Sequence, residues 1–319
     1  MASLQSIKKR IKSVKAVNKI TSAMELVAAT KMRRAQETAI NSRPYAFTAL
    51  EMLANIIEAF RTQDMRLSSI PLLKNPEIKS RAVLLVASDK GLAGTFNSAV
   101  FRKFEQFAAQ HLASQNGEKQ LVAITVGQKA EDYARRRGLT IAKSFTRHGD
   151  TVSTEETKEL SEFLIQSFTS GEWDSLIVFS TNFVSALKQD VISRELLPID
   201  FQKIREGVNS LIPKTGRYSN LRERIETSRP EKPTEYIIEP SPKEVLEKLV
   251  PTIFKMQIYH IILESNASEH SARRMAMKNA SDNAKDLVDE LSTIYNRARQ
   301  EQITKEILEI TGGAKALAG

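Results

Sequence analysis

The chain has 319 residues, 41% of them hydrophobic and 27% charged, enough apolar material for a sizeable core, so a wholly disordered chain is excluded. Low Gly (12) and Pro (10) exclude collagen-like and low-complexity classes, and the absence of Cys excludes a disulfide framework, a thiolate metal site, a cysteine nucleophile and a thiol switch. The net charge of +9 is uneven: residues 1–62 carry eleven Lys/Arg against four Asp/Glu, residues 240–319 eleven of each, and such a surplus points to a solvated helix face or an acidic partner, whether nucleic acid, anionic lipid or an acidic protein surface.

The first region, from Ser3 to Phe60, contains no Gly and only Pro44. No run of 18 apolar residues occurs anywhere in the chain, and Lys8, Lys9, Arg10, Lys12, Lys15 and Lys19 interrupt any signal-peptide core, so neither a membrane span nor a leader is expected. Apolar residues recur at Leu4, Ile7, Ile11, Val14, Val17, Ile20, Met24 and Val27, a helical stripe close to the coiled-coil period. The steps around Val14, Val17 and Ile20 depart from strict 3-4 alternation, which predicts a local change of supercoiling. Pro44 predicts a kink or interruption near Ser42–Arg43.

The middle region changes character. Residues 81–87, 120–126 and 175–179 are short, nearly continuous apolar runs, suited to strands buried on both faces. Residues 139–142 and 191–197 are weaker strand candidates. Helical patterns lie between them at 97–111, 128–137 and 154–169. Alternating strand and helix predicts a small, mainly parallel, Rossmann-like α/β sheet. Ser88-Asp89-Lys90-Gly91-Leu92-Ala93-Gly94-Thr95-Phe96-Asn97 joins the first strand to a helix. A helix N-terminus after such a turn can hold phosphate, but the loop matches neither the Walker A nor the GxGxxG pattern, and a tight turn is the favoured reading. Pattern fades from about 200 to 234, where Gly207, Pro213, Gly216, Pro230 and Pro233 punctuate a basic stretch. An exposed insertion is expected there, with a short helix near 220–227.

The third region has no Gly between Gly216 and Gly312. Ser241 and Pro242 supply a cap and a first-turn proline. Pro251 predicts a kink or early break, and Gly312-Gly313 a stop. A stripe runs through Ala280, Ala284, Leu287, Leu291, Ile294 and Ala298. Two helices this long at opposite ends of one chain each bury a narrow stripe by pairing, so an antiparallel coiled coil closed by the α/β domain is expected. The resulting domains are 1–62, 78–200, the insertion 201–235, and 240–319. Arg273-Arg274-Met275-Ala276-Met277-Lys278 reads as coiled-coil face rather than a lipid or calmodulin-type segment. No catalytic constellation, cofactor motif or metal-ligand spacing is present, and the four His are scattered.

Three segments carry a resemblance. Residues 20–33 (ITSAMELVAATKMR) resemble the N-terminal helix of the γ subunit of F-type ATP synthases. Residues 276–284 (AMKNASDNA), with 295–300 and 303–307, are similar to its C-terminal helix, and residues 88–94 (SDKGLAG) to its loop after the first strand. The resemblance spans nearly the whole chain except 200–234. It implies a non-catalytic rotor: a shaft inside a hexamer of three α and three β subunits, and a globular end on the ε (with δ) subunit and the membrane ring of c subunits. The complex would lie at the cytoplasmic face of a bacterial inner membrane. By position it implies hexamer contacts for Lys9, Arg10, Met24, Arg33 and Arg34, and for Arg299, Gln300, Thr304, Glu306, Ile310 and Leu317. Ala93 and Thr95 replace residues commonly Cys and Gly in the family loop. The insertion is longer than in many bacterial relatives and is expected to contact ε, c or β and modulate idle ATP hydrolysis. The alternatives are a nucleic-acid-binding coiled-coil protein and an α/β enzyme with helical arms. The resemblance implies no nucleic-acid partner, cofactor or metal.

Overall fold

The computed structural model describes residues 4–62, 70–74, 76–113, 120–146, 152–199 and 239–318. Helix α1 (Leu4–Thr62) opens the chain. A 3-10 turn at Pro71–Leu73 leads into β1 (Ser80–Val86), α2 (Phe96–Ala113), β2 (Gln120–Val126), α3 (Gln128–Arg136), β3 (Thr140–Phe145), α4 (Thr154–Thr169), β4 (Ser175–Phe183) and β5 (Gln189–Leu197). Helix α5 (Pro242–Ala318) closes it. The insertion at 201–235 and its short helix lie outside the described residues.

The chain divides into two compact units, one of Met1–Ala29 with Arg273–Gly319, the other of Thr30–Ala272. In the second, five strands form one sheet in the order β3-β2-β1-β4-β5. β1 pairs parallel with β2 and β4, and β2 parallel with β3; β5 runs antiparallel to β4. Both weaker strand candidates are therefore real, as the two edges. Alternation along β1 builds two cores. Ala82, Leu84 and Val86 face Leu160 and Leu164 of α4 and Leu246, Phe254 and Ile258 of α5. Val83 and Leu85 face Val100 and Phe104 of α2 and Ala130 and Tyr133 of α3. Strands covered on both faces need near-continuous apolar sequence, which is why these runs were readable.

Local chemistry sets the ends. Ser153 and Glu156 close a capping box on α4, satisfying first-turn donors. The Ser241 hydroxyl accepts from the Glu244 amide at 3.3 Å at the start of α5. At three places where the sequence predicts a kink, break or stop, the helix is not interrupted. Helix α1 runs on through Pro44, since one lost backbone bond leaves long bonded flanks on both sides. Pro251 lies inside α5, where Leu246, Val250, Ile253 and Phe254 are buried around it and packing outweighs the defect. Gly312 and Gly313 remain helical, and α5 continues to Ala318. The residues that follow are mostly strong helix formers, and two glycines cost only about 1 kcal/mol each relative to Ala.

In the first unit the two terminal helices form the antiparallel pair. On α1 the sheltered positions include Leu4, Ile7, Ile11, Val14, Asn18, Thr21, Glu25 and Ala28, which follow a 3-4 alternation, with Ser22, Met24 and Ala29 half-buried beside them. On α5 they include Met277, Ser281, Ala284, Val288, Leu291, Tyr295 and Ala298, with the same alternation. The Asn18 carboxamide donates to the Ser281 carbonyl at 2.9 Å, and the Ser22 and Ser281 hydroxyls lie 2.8 Å apart. An antiparallel register with residue numbers summing to about 302 satisfies both stripes. It sets Ile11 level with Leu291 and Leu4 level with Ala298. Shelter on α5 ends at Ala298, and every residue from Arg299 to Ala314 is exposed. This corrects the expected seam. Val17 (48% exposed), Ile20 (60%) and Val27 (53%) point outward, and Asn18, Thr21 and Ala28 lie inside in their place. On α5, Leu287 and Ile294 are exposed, with Val288 and Tyr295 sheltered instead. The alternation is unbroken, so no change of supercoiling is required.

Candidate partner-binding surface

The outer face of α1 combines charge with apolar surface. Lys8, Lys9, Arg10, Lys12, Lys15 and Lys19 are all exposed. Five of them, all but Arg10, line an open groove of about 750 Å³, and none of the lysines forms an ion pair among the described residues. One turn further on, Val17, Ile20, Leu26 and Val27 are exposed and Met24 is half-buried. At the same level, residues 282–293 of α5 carry Asp282, Asp286, Asp289 and Glu290 against Lys285 alone. The pair is therefore basic on one helix and acidic on the other, so its potential has a direction around the axis.

Beyond Ala298 α5 continues without a partner helix among the described residues. Arg299, Gln300, Thr304, Glu306 and Ile310 are exposed. Their polar groups bond along the helix. The Gln302 amide donates to Glu306 at 2.9 Å, the Thr304 hydroxyl donates to the Gln300 carbonyl at 2.9 Å, and Arg297 pairs with Glu301 at 3.2 Å. The apolar side chains have no such outlet: Ile307 is 55% exposed, Leu308 65% and Ile310 72%. Leu317 lies in the last turn of α5, its side chain outside the described residues. In a monomer this display is costly, and partner contact is its ordinary use.

The expected contact residues are not gathered into one pocket. Lys9, Arg10 and Met24 follow one another along α1, and Arg299 to Ile310 extend α5 past the paired stretch. Arg33 and Arg34 are exposed on the part of α1 that belongs to the second unit. Sequence reasoning missed Val17, Ile20 and Val27 as surface residues because it assigned them to the seam. The signal was present in the irregular spacing at Val14, Val17 and Ile20.

The loop after β1 is satisfied internally. The Ser88 hydroxyl donates to the Lys90 carbonyl at 2.7 Å, and the Asn97 amide donates back to that hydroxyl at 2.8 Å. The Asp89 carboxylate accepts from the Gln128 amide at 3.1 Å. Leu92 and Gly94 take left-handed conformations (φ 62° and 58°), which gives the sharp turn. Leu92 is thereby held out in solvent at 62% exposure.

On the α2–α3 face Tyr133 stacks on Phe101 with ring centroids 4.1 Å apart and donates to Glu105 at 3.1 Å. Burial first, then the Glu105 carboxylate, pushes its hydroxyl up to about 12. Burial pulls the Arg194 guanidinium of β5 down, opposed by the Glu264 carboxylate of α5. Among the described residues no three His, Asp or Glu side chains cluster as metal ligands, and no helix is long and apolar enough to cross a membrane.

Comparison with known proteins agrees over the full length. A family model described as ATP synthase matches residues 3–317. The ATP synthase gamma chain of Pelotomaculum thermopropionicum is 39% identical over 317 residues, covering 99% of this chain and all of that one. That of Trichormus variabilis is 38% identical over 320 residues with the same coverage. Among solved structures, a chain of the Euglena gracilis mitochondrial ATP synthase (OSCP/F1/c-ring, rotational state 3) aligns with a TM-score of 0.62 at 16% identity, covering 98% of this chain and 94% of that one. A chain of the Tetrahymena thermophila mitochondrial ATP synthase (central stalk and c-ring) aligns at 0.55 and 23% identity, covering 82% and 99%. Matched end to end in this way, the chain belongs to the family of ATP synthase gamma chains.

Proposed function

We propose that this chain is the central-stalk rotor subunit of an F-type ATP synthase, turning inside the catalytic hexamer and coupling ion-driven ring rotation to conformational change at the β-subunit sites. The observation that carries this reading is the two-helix shaft with apolar and basic groups turned outward and a single-helix tip beyond Ala298. Such a surface suits a lining that is apolar at the bearing and acidic where it is pushed. Lys9, Arg10, Met24, Arg33 and Arg34 are the contacts proposed along α1. Arg299, Gln300, Thr304, Glu306, Ile310 and Leu317 are those proposed on α5. Exposed charges keep most of their hydration, so each pair contributes about 0–1 kcal/mol and releases readily. A rotor needs contacts strong enough to push in sum and too weak to lock singly. The α/β unit is proposed to seat on the ε subunit and the c-subunit ring, keeping the chain at the membrane only through the complex. The chain is proposed to supply no catalytic group itself, the chemistry residing in the β subunits. The insertion at 201–235 is proposed to modulate idle hydrolysis.

The test is reconstitution with separately purified α and β subunits. One copy of this chain per three α and three β is expected, with ATP hydrolysis that disappears when the chain is stripped out. A cysteine placed in the α/β unit, the only thiol in the chain, takes a bead whose rotation under ATP is read directly. A complex that hydrolyses ATP equally well without this chain would sink the proposal.

A further inference from the structure

We propose that Asn18, Ser22 and Ser281 are positioning residues that hold the Val17–Ile20–Val27 face of α1 outward, so that it is presented to the ring. The outward face matters only on the rotor reading; the positioning itself is a property of the chain alone.

Two phases of α1 compete over this stretch. In the observed phase the seam passes through Val14, Asn18, Thr21, Glu25 and Ala28. Turning the helix by one residue, about 100°, would pass it through Val17, Ile20, Met24 and Val27 instead. Apolar burial favours that second phase, yet the structure adopts the first. Above this stretch Ile7, Ile11 and Val14 occupy the seam, and below it Ala28 does. Between them the sheltered side chains are polar or charged apart from the half-buried Met24, which belongs to the competing phase, so apolar packing does not fix the observed one. There the Asn18 carboxamide and the Ser22 hydroxyl, one turn apart on α1, both reach Ser281, one at its carbonyl and the other at its hydroxyl. A turn of about 100° carries both out of reach. Thr21 adds no cross-helix bond, because its hydroxyl bonds within its own helix to the Val17 and Asn18 carbonyls. Polar seam contacts of this kind specify register at some cost in stability.

The native chain has no thiol, so introduced cysteines report cleanly. Val17→Cys, Ile20→Cys and Val27→Cys are placed singly in the full chain and labelled with a maleimide, with Ile7→Cys in the seam as the control for an intact pair. In the triple variant Asn18→Ala, Ser22→Ala, Ser281→Ala, labelling at 17, 20 and 27 is expected to slow about tenfold, as for a thiol reached only by local opening. Simple loosening of the pair moves these rates the other way. Ser281→Thr, which keeps the hydroxyl, is expected to retain the original rates. Unchanged rates at 17, 20 and 27, with the control thiol of Ile7→Cys still protected, would overturn the proposal. If that control thiol also becomes reactive, Ser281→Ala alone is read in the same way, and unchanged rates there overturn it. Because the readout needs no partner subunit, it is decided independently of the reconstitution.

Discussion

Gly127 shows how one residue ties the β1 loop to the sheet. It sits at φ +92°, and a Cβ built there would lie 2.2 Å from the Ala87 carbonyl oxygen. Both the conformation and the contact exclude a side chain. Gly127→Ala is expected to destabilise the α/β unit by about 2 kcal/mol or more, read as a lower urea midpoint from the fluorescence of Trp173, the single tryptophan. Tyr133 offers a titration. Its hydroxyl is held protonated to about 12 against an ordinary 10.0, so the folded state binds this proton more tightly than the unfolded chain. The resulting stability is complete below pH 10 and is lost as pH rises toward about 12. The difference in phenolate absorbance between the native chain and Tyr133→Phe should titrate near 12 when folded and near 10.0 in urea. A folded midpoint near 10.0 would contradict the burial and the Glu105 bond.

At the scale of elements the terminal helices separate sheltered from displayed leucines. Leu291 is 7% exposed in the seam, whereas Leu287, one turn earlier, is 36% exposed. Leu291→Ala is expected to cost about 2–4 kcal/mol, and Leu287→Ala under about 1 kcal/mol, checked by thermal melting of the helical signal. Equal effects would mean that the seam has been drawn one residue out of place. The same contrast explains what was legible in sequence. The sheet was, because Val83, Leu84 and Leu85 are covered on both sides and β-branched or aliphatic runs have no other use. For the contact residues the sequence offered the resemblance alone; Lys9, Arg10, Arg33, Arg34 and Arg299 to Ile310 are exposed and Met24 is half-buried. The seam from Val17 onward was not legible, because apolar residues normally mark the inside of a soluble helix pair. Here Val17, Ile20 and Val27 are outside, and the interior is filled by Asn18, Thr21 and Glu25, which read as surface. A helix that displays its apolar residues misleads a rule calibrated on closed cores. The glycines failed as a stop for a different reason. Propensity is a weak prior, and the five helix-favouring residues from Ala314 to Ala318 sufficed to carry the backbone through Gly312 and Gly313.

For the whole molecule, the uneven charge governs association. With +9 overall and the lysine-lined groove on α1, binding to an acidic lining is steered over roughly 10 Å at 0.1 M salt and less as salt rises. Association with the α/β hexamer is therefore expected to slow with added salt. Neutralising Lys8, Lys9, Lys12, Lys15 and Lys19 to Gln should flatten that dependence, with the assembled complex remaining intact. A salt response unchanged by the five substitutions would place the steering charges elsewhere. Deleting residues 301–319 removes a stretch that is exposed from Glu301 to Ala314. The unfolding midpoint of the free chain should stay where it is, and ATP hydrolysis by the reconstituted complex should fall.

The stretch beyond Ala298 has one more consequence. Its side chains are exposed from Arg299 to Ala314, so its helical form in the free chain rests on continuity with the paired segment behind it, and helices of this length are marginal in water on their own. Its backbone amides should trade hydrogen for deuterium almost as fast as unfolded chain while the protein is alone, and slowly once the ring closes around it. On the proposed rotor reading the end of α5 would serve as a built-in clock for assembly, its amides gaining protection at the moment the shaft is enclosed.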